Sequence, residues 1–253
     1  MMKPDVENAP QAVSVFTMGK VGSSSVTDAL ASAGLETLQV HVLQCNARER
    51  AARRPNVRHL QSSVEVLDII ENEEPIRFVH LVRDPISRNV SAFFQNFERL
   101  VGGDVDDYTV DQITNLICKK VLPEEPQEWL DTEFSPFTGV DLGKHRLFDG
   151  AAIATEAKWP LLLLRSDFDD VVKSNALNDF LGREDIIVAR SKNVTSGKVG
   201  GSMSSQIKSA GMPSSYVDEC LAQPFVSTTW SPSEIEALRS RWTASQSEAS
   251  LSR

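Results

Sequence analysis

Apolar and polar positions alternate in blocks along the chain, and the blocks change period. Val13, Val15 and Phe16 form a short apolar run that stops at a glycine-bearing loop. Ile76 to Val82 (IRFVHLV) and Trp159 to Arg165 (WPLLLLR) are nearly continuous apolar runs of strand length. Such runs belong to parallel strands buried on both faces. Between them the spacing becomes helical, with Val64, Leu67, Ile69 and Ile70 before Glu74, then Val90, Phe93, Phe94 and Phe97 in the stretch Pro85 to Leu100. Strand and helix in alternation predict an α/β fold. The expected architecture is a doubly wound, mostly parallel sheet flanked by helices, with ligands beyond the C-terminal strand ends.

Local signals add the remaining elements. A helix from about Ser23 to Ala33 ends at Gly34, and an extended run from Leu38 to Leu43 contains His41. Asn46 to Arg54 reads as a basic helix stopped by Pro55, with its arginines facing water or collecting an anionic substrate. Asn56 to Leu60 (NVRHL) reads as a short strand-like piece, and Thr109 to Val121 and Pro126 to Phe137 as helices. Phe168 to Leu181 is a helix ending at Gly182, and Ile186 to Ala189 a last short strand. Ser191 to Ser205, rich in Ser, Gly and Lys, reads as a lid or a linker. Two closing helices follow, Pro213 to Ala222 and Ser231 to Trp242, so the C-terminal part is mainly helical. The second opens on an S-x-x-E capping signal, Ser231 and Glu234.

At 253 residues the chain suits one large α/β domain, expected over 12–242, with loose polar ends at 1–11 and 243–253. Its net charge of −9 argues against a protein that coats nucleic acid. It leaves room for a local basic pocket. The three cysteines are far apart and without C-x-x-C spacing, the pattern of reduced thiols in a cytoplasmic protein. There is no apolar run near the length of a membrane span, and none of the signs of a leader. Oligomeric state is not legible.

The chemistry starts where the first strand ends. Met18-Gly19-Lys20-Val21-Gly22-Ser23-Ser24-Ser25 is a tight loop running into a helix, the build of a phosphate site. Gly19 and Gly22 allow close backbone approach, amides from Val21 to Ser25 can point at an anion, and the helix dipole stands behind them. Lys20 adds charge and the serines add hydroxyl donors. The lysine precedes the glycine and no GK[ST] follows, so this is not the nucleotide triphosphatase loop. The second signal is Arg83-Asp84-Pro85-Ile86-Ser87-Arg88-Asn89-Val90-Ser91. It sets an arginine at a strand end and a serine two helical turns on, able to converge on one phosphate.

The K-x-G-S-S-S loop resembles the 5′-phosphosulfate loop of sulfotransferases, and R-D-P-x-x-R-x-x-S resembles their 3′-phosphate motif. The two occur in the same order, 63 positions apart. With EWLDTEF, LLLLRSDF and SPSEIEALRSRW, the likeness covers most of the chain. It points to bacterial sulfotransferase-like proteins of capsular polysaccharide synthesis. The resemblance implies a P-loop-like fold and a sulfotransferase that uses 3′-phosphoadenosine 5′-phosphosulfate without a metal. The acceptor would be a hydroxyl or amine, and a glycan is one candidate. By the same resemblance Lys20 meets the 5′-phosphate or bridging oxygens, Val21, Gly22, Ser23, Ser24 and Ser25 form the cradle, and Arg83 and Ser91 hold the 3′-phosphate. Lys198 lies in the stretch that answers to R-K-G-x-x-G-x-W-K, where Val199-Gly200-Gly201 replaces the aromatic.

Sulfuryl transfer also needs a base. His59 stands near the place where sulfotransferases carry a catalytic histidine, His41 ends the second strand, and a carboxylate is the third option. His80, mid-strand, reads as a core residue, and His145 has no motif beside it. Two rival readings are a nucleotide kinase-like phosphoryl transferase and a sulfonucleotide- or glycan-binding protein without catalysis.

Overall fold

The computed structural model describes residues 12–44, 46–189 and 201–243. The expected loose end 1–11, Lys198 and most of the Ser191–Ser205 stretch lie outside these residues, as does Cys45. Five strands form one sheet: β1 (Ala12–Phe16), β2 (Glu36–Val40), β3 (Ile76–Val82), β4 (Ala151–Ala154) and β5 (Leu161–Arg165). Their spatial order is β2-β1-β3-β5-β4. All neighbours are parallel except β4, which runs antiparallel to β5 at the edge. The architecture is therefore α/β with a mostly parallel sheet flanked by helices, compatible with a doubly wound fold.

Alternation along the strands explains why both faces are covered. Ala12 and Phe16, Phe78 and Val82, and Leu161 and Leu163 point to one side. There they meet Val66 of the helix Arg58–Glu71 and Ile86, Val90 and Phe93 of the helix Pro85–Gln95. Val13 and Val15, Val79 and Leu81, and Leu162 and Leu164 point to the other. They pack on Val26, Ala29 and Leu30 of the helix Ser23–Ser32 and on Leu177, Phe180 and Leu181 of the helix Asp170–Leu181. Each such aliphatic side chain contributes about 1.5–3 kcal/mol of transfer free energy. A strand ladder held on both faces gives its C-terminal end little freedom, and those ends carry the loops of interest.

Two polar devices fix the elements around those ends. Asp84 caps the helix Pro85–Gln95 by accepting from the Ser87 amide at 2.8 Å, with Pro85 in the first turn. Arg165 ends β5 at 2% exposure. It donates to Asp167 Oδ2 at 2.7 Å, to Glu234 Oε1 at 2.8 Å and to the Thr229 carbonyl at 3.2 Å. The rings of Phe168 and Trp230 lie beside its guanidinium, at 4.6 and 5.3 Å. Glu234 also completes the capping box with Ser231, so the helix Pro232–Trp242 is anchored to the end of β5.

The structure departs from expectation in several places, beginning with β2, which spans Glu36–Val40 rather than Leu38 to Leu43, and the unanticipated helix Pro224–Thr229. Asn56 to Leu60 is not strand-like: the helix begins at Arg58, because Leu60, Ser63 and Val66 already follow its buried face. Ile186 to Ala189 is not a strand either. The Ile186 and Val188 amides bond to Asn178 Oδ1 at 3.0 Å and Ser174 Oγ at 2.9 Å, so helix side chains replace a ladder. The edge strand β4 (AAIA) was not anticipated. Residues 201–205 belong to the helix Gly201–Ala210, anchored by buried Met203 and Ile207, and are not loop. Thr243, expected in the loose tail, pairs with Met212 in an isolated bridge, while 244–253 lie outside the described residues. Among the described residues no helix is long and apolar enough to cross a membrane.

Candidate functional site

Because β1 lies between β2 and β3, the chain passes from β1 to one side and then returns to the other. Ligands of open α/β sheets bind at the C-terminal strand ends where the order reverses in this way. The loop after β1 carries Lys20, and the residue after β3 is Arg83. Both line one cleft of about 810 Å³. Arg83 Nη1 donates to the Lys20 carbonyl at 2.7 Å, which ties the two loops together.

Buried Met18 and Val21 hold the loop to the core. The left-handed backbone falls on Lys20 (φ 74°) and Gly22 (φ 84°). Gly19 is not in the left-handed region. A lysine in this conformation is held against its own preference, a kind of strain that collects at functional sites. Gly22 is the N-cap of the helix Ser23–Ser32 and offers no side chain, and no cap hydrogen bond forms. The first-turn amides therefore remain without a side-chain acceptor at the positive end of the helix.

The three serines divide. Ser23 Oγ is buried and accepts from Gln39 Nε2 at 2.6 Å. Ser24 lines the cleft. Ser25 turns its hydroxyl back to the Gly22 carbonyl at 3.2 Å and is not part of the cleft wall. Ser91 lines the cleft along with Ser87 and Gln95, a polar stripe at helical spacing on the helix Pro85–Gln95. Burial pulls the Arg83 pKa down, opposed by the charge of Asp84. Asp84 itself is occupied as the helix cap rather than paired with Arg83.

Among the residues that the sequence did not single out for the site, Ser166, Asp167, Lys208, Arg241 and Trp242 also line the cleft. Asp167 was findable, since it follows β5 as Arg83 follows β3. Lys208 lies just past the stretch read as lid or linker, in a segment to which no element was assigned, on the helix Gly201–Ala210. Four cations face two carboxylates there, and Asp84 and Asp167 are both already bonded within the protein. A chain of charge −9 thus gathers positive charge at one place.

A second cavity of about 580 Å³ adjoins the first and shares Ser24, Gln39 and His41 with it. His59 lines only this second cavity. It sits in the first turn of the helix Arg58–Glu71, its ring 5.0 Å from that of His41. His41 borders both spaces. Its Nδ1 lies 2.6 Å from the Thr17 carbonyl, so Nδ1 is the protonated nitrogen and Nε2 keeps its lone pair. Burial lowers the His41 pKa, and the neighbouring His59 lowers it further, against the backbone bonds. Burial lowers His59 as well, with Arg50 as the second cause.

The other two histidines stand apart from this site. His80 is 2% exposed, bonded to the Phe16 carbonyl at 2.8 Å, and pushed down to about 4 by burial. His145 pairs with Glu156. The basic helix, Ala47–Arg53, turns its charges outward, where Arg48 meets Asp68 and Glu71 at 2.7 Å each.

No family model, curated protein or solved structure matches the chain.

Proposed function

We propose that the cleft binds 3′-phosphoadenosine 5′-phosphosulfate and that the protein transfers its sulfuryl group to a hydroxyl or amine acceptor, on a P-loop-like strand–loop–helix scaffold. The observation that carries this reading is the pairing of the Lys20 loop with Arg83 at adjacent parallel strand ends. The residues present fit such a ligand. An uncapped helix start and Lys20 suit the 5′-phosphosulfate, Arg83 and Ser91 suit the 3′-phosphate, and the volume lies in the range of ligand clefts.

In the reaction the acceptor oxygen or nitrogen forms a bond to sulfur while the bond from sulfur to the 5′-phosphate oxygen breaks. Lys20 and the loop amides oppose the charge that grows on the leaving phosphate. The acceptor's proton goes to a base. His59 was the first choice by sequence, but it does not border the cleft of Lys20. His41 does, with Nε2 free to accept, and it takes the role here.

Thermal unfolding with and without ligand tests the reading. At one hundred times its dissociation constant, adenosine 3′,5′-bisphosphate stabilises by about 2.7 kcal/mol, roughly 5–10 °C for a chain of this size. The shift should persist in chelator and exceed that of adenosine 5′-phosphate. A shift seen only with adenosine triphosphate and magnesium would instead favour a phosphoryl transferase.

A further inference from the structure

We propose that Trp129 and Glu133 are positioning residues for His41: from one turn of a neighbouring helix they clamp the backbone that follows β2, and so hold the His41 ring where the cleft meets the second cavity. This rests on the reading of His41 as the base. It assigns a role to two residues that border neither the cleft nor the cavity beside it.

The clamped segment has little else to hold it. β2 ends at Val40, and His41 to Gln44 belong to no regular element. Val42 and Leu43 are buried, but the amides of a loop still need acceptors. The Leu43 and Gln44 amides both donate to Glu133 Oε2, at 3.2 and 3.1 Å. The Trp129 indole N–H donates to the His41 carbonyl at 3.0 Å. His41 is thus tied at its ring, through Nδ1 and the Thr17 carbonyl, and along its backbone, through Trp129 and Glu133. A histidine held at both ends keeps one ring position and one tautomer.

The device is compact in sequence. Leu130–Phe134 is a π-helical turn between the helices Glu125–Trp129 and Ser135–Thr138. Pro136, two residues beyond it, has no N–H to give, so an α-helical ladder cannot run unbroken through this stretch. Turns of this wider kind are frequent at functional sites. Buried Leu130 and Phe134 seat the turn in the core. Trp129 rests on Phe16 of β1, with ring centroids 5.2 Å apart, and stacks on His80 of β3 at 5.7 Å. Trp129 and Glu133, four residues apart, are then the pair that meets the loop. Glu133 bonds to the backbone of that loop and not to the imidazole, so it acts on His41 through position rather than charge.

Imidazole nitrogen NMR of the full chain at about pH 8, where an unperturbed histidine is neutral, reads the tautomer. The native His41 should show Nδ1 protonated and Nε2 bare, in a single state. Glu133→Ala should lose that state and give the averaged nitrogens of a mobile ring. Glu133→Gln, whose amide oxygen still accepts, should restore it. Calorimetric titration with adenosine 3′,5′-bisphosphate should change little in either variant, since Lys20 and Arg83 stay in place. A native ring protonated at Nε2, or a native tautomer kept in Glu133→Ala, overturns the clamp. Equal loss in Glu133→Ala and Glu133→Gln overturns it too, because charge would then be the cause. If Glu133→Ala does not fold, Trp129→Phe keeps the aromatic packing and drops only the indole N–H: a mixed His41 tautomer there supports the clamp, and a native one overturns it. The donor reading fails separately. If the variants behave as expected but the native chain binds no adenosine 3′,5′-bisphosphate, the clamp on His41 stands and its role as a base falls.

Discussion

Lys20 holds a left-handed backbone at φ 74° while its side chain borders the cleft, and two substitutions separate those roles. Lys20→Ala and Lys20→Gly both delete the ammonium and every contact it makes. They differ only in what the backbone tolerates. At an ordinary position glycine is the less stable of the two by about 0.5–1 kcal/mol, because it loses more chain entropy on folding. At a left-handed position an L-residue carries a penalty of about 1–2 kcal/mol that glycine avoids. The difference predicts Lys20→Gly to be more stable than Lys20→Ala by about 0.5–1 kcal/mol, the reverse of the usual order. With a urea slope of roughly 2–3 kcal/mol/M, the midpoints should differ by about 0.2–0.5 M. Both variants should bind adenosine 3′,5′-bisphosphate about 10–100-fold more weakly, the worth of a charge-assisted contact. An alanine variant that outlasts the glycine variant in urea refutes the loop geometry. A glycine variant that binds like the native chain refutes Lys20 as a ligand.

Gly22→Ala should cost about 1 kcal/mol or more in urea unfolding, since φ is 84° there, whereas Gly19→Ala should be nearly neutral because a Cβ at that position meets nothing. If His41 is the base, His41→Ala should lower turnover roughly 10²–10⁴-fold with donor affinity kept, and His59→Ala should do far less; the opposite ranking returns the role to His59. Burial pushes the His80 pKa in the folded chain down to about 4, from about 6.5 for an unperturbed imidazole, so the unfolded state binds more protons between those values. Stability should therefore be complete above about pH 6.5 and fall as the pH drops toward 4, by up to about 3 kcal/mol. His80→Gln should flatten that part of the stability–pH curve.

The parts of the fold legible in the sequence are those where one physical cause dominates. IRFVHLV and LLLLR announced buried parallel strands because a strand covered on both faces has no polar side to confuse the period. Ser231…Glu234 announced a helix start because capping is local chemistry. The misreadings occur where tertiary contact overrides local pattern. AAIA carries too little bulk to signal a strand, yet pairing with β5 makes it one. Ile186 to Ala189 has strand-like alternation but spends its amides on Asn178 and Ser174. Helix 201–210 is Ser- and Gly-rich and rests on two apolar anchors one turn apart. At the site, Lys20, Arg83 and Ser91 were legible because motif and strand end coincide. Lys208, Arg241 and Trp242 were not, since nothing local marks a residue that reaches a cleft from another element.

The placement of chemistry follows from the strand order. Lys20 follows β1, His41 directly follows β2, Arg83 directly follows β3, and Asp167 lies just past β5. Four parallel strands deliver these groups to the same C-terminal end of the sheet, and the place of β1 between β2 and β3 brings the first three around a single loop. Arg83 bonds to the Lys20 carbonyl, and His41 bonds to the Thr17 carbonyl of that loop. Each partner therefore braces the loop after β1, while its own strand is fixed by packing on both faces. The side of the cleft lined by Lys208, Arg241 and Trp242 is different in kind. Its groups arrive from late in the chain, on a helix seated by Met203 and Ile207 and on a helix anchored by Arg165 and Glu234. Rigid strand ends suit the proposed reacting centre, where small displacements are costly.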